Sequence, residues 1–81
     1  MIMAMTRESV KDFYGRIIGF IETYDNGDKK AKDQYGKILG FYDKKRNVTK
    51  DAYGKIVARG DTTSSLIWQA YNEWKLKNNI R

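Results

Sequence analysis

Cysteine, histidine and proline are absent from the sequence, and no long apolar run interrupts it. Without cysteine the chain has neither disulfides nor a thiolate metal site. Without histidine it lacks the commonest metal ligand, the usual general base near neutral pH and the middle member of a nucleophile triad. No cofactor and no enzymatic activity are expected. Without proline, nothing in the composition confines a strand to a sheet edge. No segment approaches the roughly 18 apolar residues of a membrane span. The opening Met1-Ile2-Met3-Ala4-Met5 is too short for a signal-peptide core and has no basic stretch before it. A reduced, cytoplasmic setting without a membrane partner is the expectation.

What is present is short and basic. Eighty-one residues leave room for one domain, and a domain this small buries only about 60–65% of the surface its unfolded chain exposes. Small scaffolds gain support from disulfides, metals or association. With the first two removed, a homo-oligomer, most simply a dimer, is expected. Sixteen Lys and Arg against ten Asp and Glu give a formal charge of +6. That excess favours an anionic partner: nucleic acid, a nucleotide or an acidic protein surface. Solubility alone is the competing explanation. A compact basic module without catalytic groups suits an accessory or inhibitor protein of the kind that phages and other prokaryotic mobile elements encode.

The chain repeats itself. Lys11-Asp12-Phe13-Tyr14-Gly15-Arg16-Ile17-Ile18-Gly19-Phe20 returns as Lys32-Asp33-Gln34-Tyr35-Gly36-Lys37-Ile38-Leu39-Gly40-Phe41. It returns again as Lys50-Asp51-Ala52-Tyr53-Gly54-Lys55-Ile56-Val57-Ala58-Arg59, the offsets being 21 and 18 residues. Asp at the first position of a turn bonds the backbone two residues on, and Gly at the fourth accepts positive φ. Asp-x-Tyr-Gly is thus a type I turn with a left-handed glycine, a hairpin corner closed by a G1 bulge. Between copies lie Tyr24-Asp25-Asn26-Gly27, where Asn-Gly favours a type I′ turn, and Asp43-Lys44-Lys45-Arg46-Asn47. Turn signals every 8–12 residues mark a meander of short antiparallel strands, expected over 8–12, 16–23, 29–33, 37–42, 48–52 and 55–59.

Past Gly60 the period changes. Asp61, Thr62, Thr63 and Ser64 are candidate N-caps, and Leu66, Ile67, Ala70, Tyr71 and Trp74 form a stripe at helical spacing. Lys75, Lys77 and Arg81 sit at the carbonyl end, where cations are favoured. A helix over about 62–77 is expected, with Trp68 at the margin of the stripe and Leu76 nearly opposite. The fold class is therefore α+β, mostly β: a meander of five or six strands built from three hairpin repeats, with one C-terminal amphipathic helix packed on one face. A single domain spans 1–81, with an N-terminal segment at 1–7, the repeat at 8–60 and the helix region at 61–79.

Strict alternation along the strands places Ile17, Gly19 and Ile21, then Ile38, Gly40 and Tyr42, then Ile56 and Ala58 on one face. Gly19, Gly40 and Ala58 would make a shallow trough to be filled by Trp74 and Tyr71 of the helix. The opposite face collects Ile18, Phe20, Leu39, Phe41 and Val57. One helix cannot cover both sides, so these five are candidate interface residues for a dimer. In the alternatives, a curled sheet encloses them with Met1–Met5 as a lid, or they form a ligand surface.

The repeat also brackets each corner with cations. Lys11 and Arg16, Lys32 and Lys37, and Lys50 and Lys55 would stand at one end of the meander with Tyr14, Tyr35 and Tyr53. Basic groups interleaved with aromatics suit phosphates and stacked bases. Alternatively the tyrosines fold over their own turns and the cations keep the sheet soluble. Asp12, Asp33 and Asp51 read as turn caps and poor candidates for a unique acid or base. Asp25-Asn26-Gly27-Asp28 is at most a loose cation loop, lacking the remaining ligands of an EF-hand. Tyr24-Asp25-Asn26-Gly27 resembles one unit of the YD-type β-repeats of large bacterial secreted proteins. The dominant Asp-x-Tyr-Gly-Lys-Ile motif departs from that pattern, so no function carries over. Tyr35-Gly36-Lys37-Ile38-Leu39-Gly40-Phe41 is similar to an RNA-recognition strand in composition alone.

Two readings follow. One is a small non-enzymatic protein-interaction or accessory protein that self-associates through its apolar sheet face. The other binds nucleic acid or nucleotides through the charged, tyrosine-bearing turn edge.

Overall fold

The computed structural model describes residues 5–78. Six strands, β1 (Met5–Lys11), β2 (Ile17–Tyr24), β3 (Lys29–Asp33), β4 (Ile38–Asp43), β5 (Val48–Asp51) and β6 (Ile56–Arg59), precede one helix, α1 (Thr63–Lys77). The strands form a single antiparallel sheet whose spatial order is the chain order. β1 and β6 are its two edges, and the sheet stays open. Of the expected lid, Met5 begins β1; Met1 to Ala4 lie outside the described residues.

Each repeat corner has the same construction. The N–H of Gly15 donates to the Asp12 carbonyl at 3.1 Å and the N–H of Asp12 to the Arg16 carbonyl at 2.9 Å. The bonds recur at Asp33, Gly36 and Lys37 and at Asp51, Gly54 and Lys55. The corner glycines have φ of 82°, 87° and 87°, as a left-handed bulge residue requires. The turn at Tyr24–Asp28 differs from expectation. Gly27 is left-handed at φ 90°, but among the described residues Asn47 alone is a non-glycine with positive φ. A type I′ turn needs positive φ at both central positions, so Asn26 rules it out. The N–H of Tyr24 bonds the Asp28 carbonyl and that of Gly27 the Tyr24 carbonyl, the bonding of the repeat corners.

A second irregularity corrects the assignment of faces. Lys11 pairs with Ile17 but Val10 with Gly19, so Ile18 is an extra residue in the ladder. Leu39 and Val57 are skipped in the same way. Directly paired residues share a face. Ile17, Ile38 and Ile56 therefore lie with Lys11, Lys32 and Lys50 on the side away from the helix, and Gly19, Gly40 and Ala58 on the helix side. Ile18, 1% exposed, joins Ala31, Ile67 and Tyr71 in the core, and Leu39 packs against that cluster. Strict alternation fails because one inserted residue beside each corner lets two successive side chains lean the same way.

The helix rests mainly on β2, β3 and β4. A Cβ built on Gly19 would come within 2.6 Å of the Ile67 side chain and 2.5 Å of the Lys32 carbonyl oxygen, and one on Gly40 would meet Leu66 at 2.6 Å. Ile67 and Leu66, rather than Tyr71 and Trp74, thus fill the trough. Ala58 lies on β6, an edge with no following strand and outside the helix's main contacts with β2, β3 and β4, and there the third copy carries a methyl group. At the helix start, the Thr62 side chain makes no capping bond. Instead the Asp61 carboxylate accepts the N–H of Thr63 at 3.1 Å and its hydroxyl at 2.6 Å, and pairs with Lys29 at 2.6 Å. Buried Thr49 joins sheet to helix: its hydroxyl donates to the Gly60 carbonyl at 2.7 Å and accepts the Thr62 N–H at 2.9 Å. Leu76 faces solvent.

Gly19→Ala is expected to lower stability by about 1–3 kcal/mol, the cost of overpacking, whereas Ala58→Gly should lose only about 0.5–1 kcal/mol of backbone entropy. Urea midpoints check the ranking. Equal midpoints for Gly19→Ala and wild type would be incompatible with Ile67 seated on Gly19.

Candidate functional site

The corners present the repeated chemistry. In each, one carboxylate oxygen accepts two backbone N–H groups: Asp12 Oδ1 from Tyr14 and Arg16, Asp33 Oδ1 from Tyr35 and Lys37, and Asp51 Oδ1 from Tyr53 and Lys55, all at 2.9 Å. These bonds hold the tyrosine and the following cation at fixed places on the corner. The corners join β1 to β2, β3 to β4 and β5 to β6, so the meander brings all three to one end of the sheet. Strands lie about 4.8 Å apart, which spaces equivalent corners by roughly 9.6 Å. Tyr14, Tyr35 and Tyr53 are 87%, 73% and 96% exposed. They are not folded over their own turns.

The six candidate cations divide into two sets. Lys11, Arg16, Lys37 and Lys55 are exposed. Lys32 pairs with buried Glu22 at 3.0 Å, and Lys50 lies 3.7 Å from Asp43. Among the described residues, Lys37 and Lys55 are within ion-pair distance of no carboxylate. The rim therefore keeps its charge mainly at the residue after each glycine.

The candidate interface residues are split between faces. Ile18 and Leu39 belong to the helix side, and Val57 lines a groove with Leu66 and Gln69 at the β6 end of the helix. Phe20 and Phe41 remain on the open face. There Phe20, Lys32 and Ile38 form one cross-strand row, and Phe41, Lys50 and Ile56 the next. Each row sets a lysine between two apolar side chains. Arg7 covers the Phe20 ring, its guanidinium 4.2 Å from the centroid. The uncovered side consequently alternates apolar and charged side chains rather than forming a continuous apolar seam.

Sequence reasoning passed over a cluster at the first corner. Phe13, 95% exposed, has its ring centroid 5.6 Å from that of Trp68. Trp68 and Tyr71 are 6.3 Å apart, and Tyr71 and Trp74 are stacked at 6.0 Å. Asp12, besides capping its turn, accepts the Tyr71 hydroxyl through Oδ2 at 3.0 Å. The signal was available: the variable position of the motif holds Phe13 in the first copy, but Gln34 and Ala52 in the others.

Desolvation pushes the Asp12 carboxyl up, but the backbone N–H groups of Arg16 and Tyr14, the Tyr71 hydroxyl and the Arg16 charge together hold it below the usual value. Burial and the Asp12 bond raise the Tyr71 phenol. For Glu22 the Lys32 hydrogen bond is the largest influence and lowers the pKa despite burial. The Asp25–Asp28 loop fastens the backbone, with the N–H of Asp28 on Asn26 Oδ1 and that of Lys44 on Asp28 Oδ1, both at 2.9 Å. Among the described residues no three His, Cys, Asp or Glu side chains gather as a metal site, and no helix is long and apolar enough to cross a membrane.

No protein-family model matches the chain, and neither the curated proteins nor the solved structures gave a match.

The lowered carboxyls fix the sign of the acid response. A group whose pKa is depressed by folding adds stability above its unfolded value, about 4 for a carboxyl, and loses it as the pH falls through the folded value. Tyr71→Phe removes one of the influences that depress Asp12. Its melting temperature should lie below wild type at pH 7, with the gap narrowing on acidification toward about pH 2. A gap that stays constant over that range would show that the Asp12 charge plays no part.

Proposed function

We propose that this chain is a small non-enzymatic binding module whose hairpin rim takes a single strand of nucleic acid. The observation that carries the reading is the threefold corner: an exposed tyrosine two residues before an exposed cation, on a backbone fixed by the same carboxylate bonds. An aromatic face left in water at three matched positions serves no packing purpose, and stacking on bases is its sequence-tolerant use. The cations after the glycines suit the phosphates between such bases.

The test is a gel shift with a labelled oligonucleotide at two salt concentrations. For three contacted phosphates on a single strand, affinity should fall about 20-fold between roughly 50 and 200 mM salt. Lys37→Glu combined with Lys55→Glu should abolish the shift while leaving the circular dichroism unchanged. Absence of any wild-type shift at the lower salt removes the reading.

Self-association is the second reading, favoured by one observation. The four-residue strand β6 is an open edge, and its Ile56 and Val57 are 53% and 50% exposed. Unpaired edges with apolar side chains are templates for pairing with a second chain. Light scattering on the 9.5 kDa chain should then give twice that mass for wild type and the monomer mass for Ile56→Glu. A monomeric wild type at high protein concentration excludes this second reading.

A further inference from the structure

We propose that the junction of the first corner with the helix is a separate binding site for a nucleoside phosphate, its base stacked against Phe13 and Trp68. A cleft of about 370 Å³ opens there, lined by Asp12, Phe13, Tyr14, Arg16, Trp68, Tyr71, Asn72 and Lys75. That volume is in the range of small-ligand sites, which combine aromatic walls with a few placed polar groups. The argument begins with Phe13. An almost fully exposed phenylalanine on a tight turn is unfavourable in water, and the two sister corners have Gln34 and Ala52 at that place. The corner itself does not need the ring, since all three close with the same bonds. What distinguishes the first corner is the helix beside it. Trp68 and Tyr71 continue the aromatic surface from Phe13, and the Tyr71 hydroxyl locks onto Asp12.

The polar groups choose the ligand. A bare aromatic cage would take a cation, but Arg16 and Lys75 share this one. Both oxygens of Asp12 are occupied, Oδ1 by two backbone N–H groups and Oδ2 by Tyr71. With Arg16 beside Asp12, Lys75 remains as net positive charge, its ammonium 5.2 Å from the Tyr71 ring centroid. A planar ring carrying an anionic group is the ligand these features fit. Asn72, exposed on the next helical position, adds an amide that both donates to and accepts from the edge of a base. The site shares Tyr14 and Arg16 with the rim, but Phe13 belongs to the cleft alone and Lys37 and Lys55 to the rim alone, so each can be disabled without the other.

Of the two tryptophans of the chain, Trp68 lines the cleft and Trp74 stacks on Tyr71, so tryptophan fluorescence reports on the cleft chiefly through Trp68. Adenosine 5′-monophosphate should quench it saturably, whereas inorganic phosphate and ribose 5-phosphate should not. Phe13→Ala, which removes no buried contact, should weaken binding about 10-fold, within the range for losing one base–aromatic stack; Gln34→Ala at the sister corner should leave it unchanged. A 5′-phosphorylated oligonucleotide that quenches where the free nucleotide does not would assign the cleft to a strand end, and sustain the site. Wild-type affinity in Phe13→Ala, or no quenching by either probe, would overturn it. Quenching that persists in the Lys37→Glu, Lys55→Glu double variant supports this site even if the rim binds no strand. A gel shift without quenching refutes the cleft and leaves the rim reading standing.

Discussion

One carboxylate oxygen accepting two backbone N–H groups, with a glycine free to turn left-handed beside it, is the element on which the rest of the molecule depends. It recurs at Asp12, Asp33 and Asp51. Because the two bonds tie the aspartate to residues two and four places on, they set where the chain reverses and therefore which residues meet across the sheet. They also leave the intervening tyrosine without a structural task. The corner is thus a rigid support whose side chains remain available.

The extra residue beside each corner sorts the apolar side chains. Ile18 and Leu39 are drawn into the core with Ile67, while Ile17, Ile38 and Ile56 are turned out among lysines. One helix then suffices for a sheet that looks apolar on both sides in the sequence. The helix approaches closely only where Gly19 and Gly40 admit Ile67 and Leu66. Beyond that footprint the third copy has Ala58, and beside it the first copy has Phe13. The repeat departs from itself where its neighbours change.

The corners, the strand order and the helix were legible because each rests on local chemistry: Asp and Gly at fixed offsets, and a change of period after Gly60. The faces were not. A two-residue alternation carries no mark of an inserted residue, so Ile18 and Leu39 were assigned to the wrong side. The turn at Asn26-Gly27 was misjudged for a related reason: the dipeptide permits a type I′ turn, but the five-residue spacing from Tyr24 to Asp28 selects the same corner as the repeat. Of the candidate cations, Lys32 and Lys50 are engaged by Glu22 and Asp43 on the preceding strands, partners that only the strand pairing brings within reach. The Phe13–Trp68 cleft depends on where the helix lands, which no local pattern encodes.

Chain-order topology has a bearing on how the molecule assembles. Every ladder joins segments adjacent along the polypeptide, so little loop-closure entropy opposes each successive pairing, and such arrangements fold quickly. The helix comes last and alone reaches back across the whole length. Its Tyr71 bond to Asp12 spans 59 residues, a latch that engages only when the first hairpin and the final segment are both in place.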